Sequence, residues 1–273
     1  MKKRLPSILV GLLFLVGLGI MIYPTVSNQW NTYRQNKLIS NYEKIVDDMS
    51  DEDFSQEWQN AQAFNETISG NNVFADVFGE KSKDSENSEY NRVLNMNNDG
   101  IMGYISIPEI NIKLAIYHGT SDDVLQTGVG HINGSKLPIG GESTHCVLAA
   151  HRGLPSAELF TDIDQLQTGD KFYLHILDKV LAYEVDQIKT VLPSQTDDIE
   201  IVDDEDYVTL VTCTPYSVNT HRLLVRGKRT DYKEAIKKTP NEVNNGIHIP
   251  YEVKLAFLSF IIIGIIIFIW RRR

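Results

Sequence analysis

Tyr207-Val208-Thr209-Leu210-Val211-Thr212-Cys213 is a β-branched run that ends on a cysteine, and Asn219-Thr220-His221-Arg222-Leu223-Leu224-Val225-Arg226 follows after a short loop. Side chains of this kind suit a pleated surface, so Tyr207–Cys213 and His221–Lys228 read as strands. The loop between them, Thr214 to Asn219, is short enough for the strands to pair antiparallel, which brings Cys213 and Arg222 together at one edge. Further upstream, Thr144-His-Cys-Val-Leu-Ala-Ala-His151 is another strand-like run, and it closes on a histidine. A thiol, a proton-transfer group and a fixed cation are the minimum set for acyl transfer through a thioester.

Outward from these runs the texture stays the same. Short β-type segments lie near Gly103–Ile107, Lys113–Ile116, Lys171–Leu177 and Val180–Val191, separated by Gly, Pro, Asn and Asp. Asp178-Lys179 reads as a two-residue hairpin turn. Strands this short and this evenly spaced favour a mainly β, closed or nearly closed barrel over a βαβ sheet. Before the β region, Asn28 to Ser69 is polar and helical in pattern. Ile39, Tyr42, Ile45, Val46 and Met49 share one face, and Trp58, Ala61 and Phe64 repeat the spacing. Gly70-Asn-Asn72 breaks that pattern, and 70–98 reads as a loop with a very polar centre.

Both ends of the chain are apolar. Ser7 to Tyr23 follows Lys2-Lys3-Arg4, and Leu255 to Trp270 precedes Arg271-Arg272-Arg273. Each stretch is near the lower end of the roughly 17–25 residues a spanning helix needs. A cleaved signal peptide would share the positive start and apolar middle of the first stretch. Tyr23-Pro-Thr-Val-Ser27 offers no small-x-small cleavage site, which favours an uncleaved anchor. The positive-inside rule then puts both termini in the cytoplasm and the domain between them outside the cell, tethered to the bilayer by two anchors. The expected divisions are 1–27 (cytoplasmic start and anchor), 28–69 (helical linker), 70–98 (loop), 99–230 (barrel), 231–253 (connector) and 254–273 (second anchor and basic tail).

A net charge of −10, with no basic stripe in the acidic middle, excludes a nucleic-acid partner. The Asp/Glu runs lack the spacing and glycine of an EF-hand, so no metal site is expected. Two cysteines in an extracellular domain could form a disulfide. Alternation argues otherwise: in a strand over 144–151, Cys146, Leu148 and Ala150 point one way, while Val147, Ala149 and His151 point the other. Cys146 then faces away from the histidine as a small core hydrophobe.

A free thiol is only a few per cent ionised at neutral pH, so a reactive cysteine needs cations nearby. His151 and Arg222 are the candidates. Each also has an ordinary reading, as inert core cysteine, strand-end histidine or surface arginine. No Asn or Asp is placed by a motif to orient His151, and composition and spacing alone leave a thiol enzyme as one reading among these.

The longer motifs decide between them. Thr209-Leu-Val-Thr-Cys213-Thr-Pro-Tyr216 with Asn219-Thr-His-Arg222-Leu-Leu-Val-Arg226-Gly227 resembles the signature of the sortases, in particular the pilus-assembling class C. Asp99-Gly-Ile-Met-Gly103-Tyr-Ile-Ser-Ile-Pro108, Gly128-Val-Gly-His131-Ile-Asn-Gly-Ser-Lys-Leu-Pro138 and Thr144 to Gly153 match as well. The resemblance implies a sortase-type closed barrel of about eight strands with N-terminal helices and an anchor at each end. It implies Cys213 as nucleophile, His151 as general acid/base and Arg222 as oxyanion stabiliser. Thr212 would help bind substrate, whereas His131 and His221 would be structural, and Arg226 is a weaker alternative to Arg222.

Class C enzymes carry a lid with an Asp-Pro-aromatic tripeptide, and Asp76-Val77-Phe78 stands in the matching place without the proline. By that pattern Asp76 reaches the arginine and Phe78 covers the cysteine. The implied reaction cleaves an LPXTG-like sorting signal and passes it to a lysine amine of a pilin, with no cofactor. The alternatives are a housekeeping sortase acting on a cell-wall precursor, a hydrolytic thiol protease, and a membrane-tethered binding module with a dead site.

Overall fold

The computed structural model describes residues 5–68, 76, 78 and 89–233, with side chains from residue 11 onward. The chain opens on helix α1, Leu5–Asp47, which passes through Pro24 and through the boundary expected at residue 27 without a break. Its stretch from Gly11 is long and apolar enough to cross a membrane, with a mean hydropathy of 1.6 and none of the apolar window buried. The second anchor expected over 254–273 lies outside the described residues, as does most of the 231–253 connector.

A compact unit begins at Asn31. The apolar face of α1 packs Ile39 and Tyr42 against Ile101, Tyr104 and Ala115. Gln35 is 1% exposed; its amide donates to Thr127 O at 2.6 Å and accepts from Ala115 N at 2.9 Å, which satisfies it where water cannot reach. Helix α2, Asp51–Thr67, starts on a reciprocal cap in which Ser50 Oγ accepts from Asp53 N while Asp53 Oδ2 accepts from Ser50 N. Trp58, Ala61 and Phe64 enter the main core from this helix, as their spacing predicts.

The β region comprises β1 (Ile101–Ile107), β2 (Ile112–His118), β3 (Val129–His131), β4 (Thr144–Ala149), β5 (Lys171–Ile176), β6 (Lys179–Val191), β7 (Asp206–Thr214) and β8 (His221–Thr230), with a short helix α3 (Asp122–Thr127) before β3. They close into a barrel in the order β1-β2-β3-β4-β7-β8-β6-β5. The neighbours pair antiparallel except β2 with β3 and β4 with β7, which are parallel. Strand β3 is absent from the sequence reading, since three residues are too few to display an alternation.

The β5–β6 turn sits one residue earlier than the sequence predicts. Lys179 already pairs with Ile176, so the turn is Leu177-Asp178. Leu177 takes φ of 50°, a conformation unusual for leucine. Long-range contacts hold it there: Leu177 N donates to Tyr42 Oη at 2.8 Å, and Trp58 Nε1 donates to Asp178 Oδ1 at 2.7 Å. Two helices far away in sequence set this turn, and local residue preferences carry no trace of that.

Alternation along the strands sorts residues onto two faces. Cys146, Leu148, Ala150, Val208, Leu210, Leu223 and Val225 belong to the barrel interior. Val147, Ala149, Val211 and Leu224 belong to a second apolar cluster on the other face, with Ile132, Val191 and Ile199.

Candidate active site

Cys213, His151 and Arg222 converge on the face of that second cluster. Cys213 and Arg222 are directly opposite in the β7–β8 ladder, a position that sets Cα atoms about 4.5–5.5 Å apart. Parallel pairing of β4 with β7 sets Ala149 beside Val211, and Ala150 N continues it by donating to Val211 O at 3.2 Å. Carried two residues further, that register sets His151 level with Cys213. The His151 carbonyl accepts from Phe160 N at 3.1 Å, which fixes the backbone there.

Cys213 and Arg222 are nearly enclosed, at 6% and 7% exposure. Arg222 donates Nε and Nη2 to the two oxygens of Asp76, at 2.8 and 2.5 Å. Its Nη1 donates to Asn219 O and His221 O, both at 2.9 Å. A two-pronged carboxylate pair of this kind is strong and directional. Phe78 lies against the His151 ring with centroids 5.5 Å apart, and the Arg222 guanidinium sits 5.3 Å from the Phe78 centroid. Asp76 and Phe78 thus lie against Arg222, and Phe78 against His151 as well. A groove continues from them along Ile132, Val191, Ile199, Val211 and Leu224.

Burial pushes the Cys213 thiol up; Arg222 pulls it back down and Asp76 adds to the rise. Burial pulls His151 down, against the field of Asp122. Both shifts favour the neutral forms. Arg222 loses some basicity to burial but gains more from Asp76, so the cation persists.

The sortase domain family matches residues 105–230. Sortase C of Streptococcus pneumoniae, whose crystal structure is described as informing catalysis and pilin substrate specificity, is 47% identical with a TM-score of 0.67, covering 72% of this chain and 97% of that one. The chain belongs to the sortase family. Sortase C1 of Streptococcus agalactiae is also 47% identical, with a TM-score of 0.64 over 76% of this chain and all of that one, 100%. Among curated relatives, sortase D of Bacillus subtilis is 32% identical over 130 residues, 46% of this chain and 63% of that protein. Sortase A of Bacillus anthracis is 30% identical over 129 residues, 46% of this chain and 59% of that protein. The match thus spans less than two thirds of the length of either curated relative. Sortases are cysteine transpeptidases.

The other sequence candidates fall into place around this sortase site. Cys146 and Cys213 are both free thiols, so no bridge joins them, and Cys146 is fully buried with its thiol pushed well up by burial. Thr212, expected to help bind substrate, has a fully buried side chain whose hydroxyl donates to Ala150 O at 2.8 Å. That bond ties β7 to the end of β4 and holds His151 level with Cys213. His131 is fully buried and pulled down to about 4 by desolvation. The His221 ring has its Nδ1 2.9 Å from Thr220 Oγ1. Arg226 pairs with Asp186 at 2.7 Å, opposite Thr209 and away from the thiol.

Two features of the site escape the sequence reading. Arg152 forms an ion pair with Asp164, reaches Thr214 Oγ1 at 3.4 Å and stands 5.9 Å from the Tyr216 ring. It therefore braces the residue after His151 against the residue after Cys213. Gly153, at φ of +77°, lets Tyr216 close over the turn, where a Cβ would come within 2.8 Å of the ring. The second feature is the groove wall from Val191 to Ile199. Its apolar residues lie in an otherwise polar loop and carry no motif.

Proposed function

We propose that this chain is a membrane-anchored transpeptidase of the class C kind, which cleaves an LPXTG-like sorting signal and joins it to a lysine amine of a pilin. The observation that carries the reading is the paired carboxylate of Asp76 on Arg222, with Phe78 packed on His151. A site built to act on a freely available substrate has no use for a plug on its own cation. A polymerising enzyme that must wait for a particular partner does.

In this reading the latch lifts first, and Arg222 exchanges Asp76 for the substrate carbonyl. The Cys213 sulfur attacks the threonine carbonyl of the signal, its proton passing to His151. Arg222 donates hydrogen bonds to the oxyanion of the tetrahedral intermediate. His151 then protonates the departing glycine amine, leaving the threonine as a thioester on Cys213. The lysine amine attacks the thioester carbonyl and gives up its proton to His151. Collapse of that intermediate expels the Cys213 thiolate and leaves an isopeptide bond. The apolar lining of the groove favours amine over water at this step by excluding water around the bound signal. No step calls for a cofactor.

The domain divisions expected from sequence fit this role. The first anchor, and a second one over 254–273, would hold the barrel on the outer face of the membrane with both termini in the cytoplasm. Incubating the enzyme with a sorting-signal protein and a pilin lysine acceptor tests the reading. A product carrying a threonine–lysine isopeptide bond by mass spectrometry is expected. Release of the free threonine acid alone would make the chain a hydrolase, and ligation only to a cell-wall precursor amine would make it a housekeeping sortase.

A further inference from the structure

The turn that leaves His151 and the loop that leaves Cys213 are separate pieces of chain, and Arg152 spans them. Its Nη2 donates to Asp164 in an ion pair, its Nη1 reaches Thr214 Oγ1 at 3.4 Å, and its guanidinium stands 5.9 Å from the Tyr216 ring. Asp164 belongs to a short turn, Ile163–Gln165, whose Ile163 is buried in the barrel core with Phe160. The arginine thus ties the loop after Cys213 to a point fixed by the core. Its side chain is 10% exposed, and its Nε is buried without an acceptor among the described residues. An unpaired buried donor costs stability, so stability alone is a poor account of this arginine. A planar fork with donors in two directions suits such a span, whereas a lysine ammonium at one point does not.

The turn matters because His151 lies past the end of its strand, which stops at Ala149. Phe160 N holds the His151 carbonyl, and Thr212 Oγ1 holds the carbonyl of Ala150. Beyond them, Gly153 N donates to Thr161 Oγ1 at 3.1 Å, and Tyr216 packs on Gly153. We propose that Arg152 is a positioning residue: by bolting the turn after His151 to the loop after Cys213, it sets the reach of the His151 ring to the departing amine. This rests on reading Cys213 as nucleophile and His151 as general acid/base. Protonating a leaving amine needs hydrogen-bond reach, and a misplacement of about 1 Å costs on the order of a hundredfold. The charges that act on the thiol are Arg222 and Asp76, so Arg152 works through the placement of His151.

The test compares two substrates on the full chain: an LPXTG-type peptide, and the same peptide ended at its threonine as an alkyl thioester. In both, the Cys213 sulfur gives up its proton and bonds to the threonine carbonyl carbon. The peptide C–N bond breaks only as the glycine nitrogen takes a proton. The thioester C–S bond breaks with its electron pair leaving on a thiolate, which needs none. Arg152→Met is expected to lower kcat on the peptide about tenfold or more, with KM, the thioester rate and Cys213 alkylation within about twofold of the parent. Arg152→Lys keeps the charge, loses the fork and should fall in the same way. Asp164→Asn, at the more exposed end of the ion pair, should fall less, and it reports if an arginine variant fails to fold. An equal fall on both substrates would place the effect on the oxyanion or the groove and overturn the proposal. So would a change in KM alone, a parent-like Arg152→Lys, or unchanged rates throughout. His151→Ala separates the two levels of the argument. If it loses both substrates equally, the acid/base reading of His151 fails and this proposal with it. If it shows the split and Arg152→Met does not, the proposal alone fails.

Discussion

At the scale of residues, the site is a balance of charges around one thiol. Cys213 sits between Arg222, which favours its thiolate, and Asp76, which opposes it, with burial pushing in the same direction as Asp76. Removing the carboxylate should therefore lower the thiol pKa and free the guanidinium together. Asp76→Ala is expected to shift the pH profile of Cys213 alkylation to lower pH and to raise the rate at neutral pH severalfold. The core thiol of Cys146 serves as an internal reference that stays unlabelled in the folded protein. A profile that stays in place, or moves up, would contradict the charge balance.

Most of this was readable from residue types in the sequence. The two strands around the Thr214–Asn219 loop predict Cys213 opposite Arg222, and they are opposite. Alternation sets Cys146 apart from His151, as found. Thr212 shows where such reading stops, because its hydroxyl partner Ala150 O is 62 residues away in sequence and belongs to a backbone no motif describes.

At the scale of elements, the strands were legible and their junctions were not. Patterns of two-residue period predict β1, β2 and β4 to β8 within a few residues, because burial on one face imposes the period. The β5–β6 turn slipped by one residue because α1 and α2 hold Leu177 and Asp178 from outside. Tyr42 Oη accepts from Leu177 N at 2.8 Å and donates to Met102 O at 3.2 Å, both buried. Tyr42→Phe strands a buried donor and is expected to cost about 1–3 kcal/mol, read as a lower melting temperature with the alkylation rate of Cys213 unchanged. A melting temperature equal to the parent would mean that the turn does not depend on α1.

At the scale of the whole molecule, the barrel gathers the candidate groups at one place. Strands β7 and β8 and the end of β4 bring Cys213, Arg222 and His151 to one end of one face. The apolar stretch from Gly11, long enough to cross a membrane, and the turns that carry Ile39 and Tyr42 belong to one helix, α1. The central claim is that Cys213 forms a thioester with a sorting signal once Asp76 and Phe78 lift. Its most direct test is the intact mass of the enzyme after incubation with an LPXTG-type peptide in the absence of an amine acceptor. The account predicts a mass increase equal to the peptide through its threonine, absent in Cys213→Ala, present at a higher fraction in Asp76→Ala, and removed by hydroxylamine. A peptide cleaved at the same rate by Cys213→Ala, or an adduct mapping to Cys146, would contradict it.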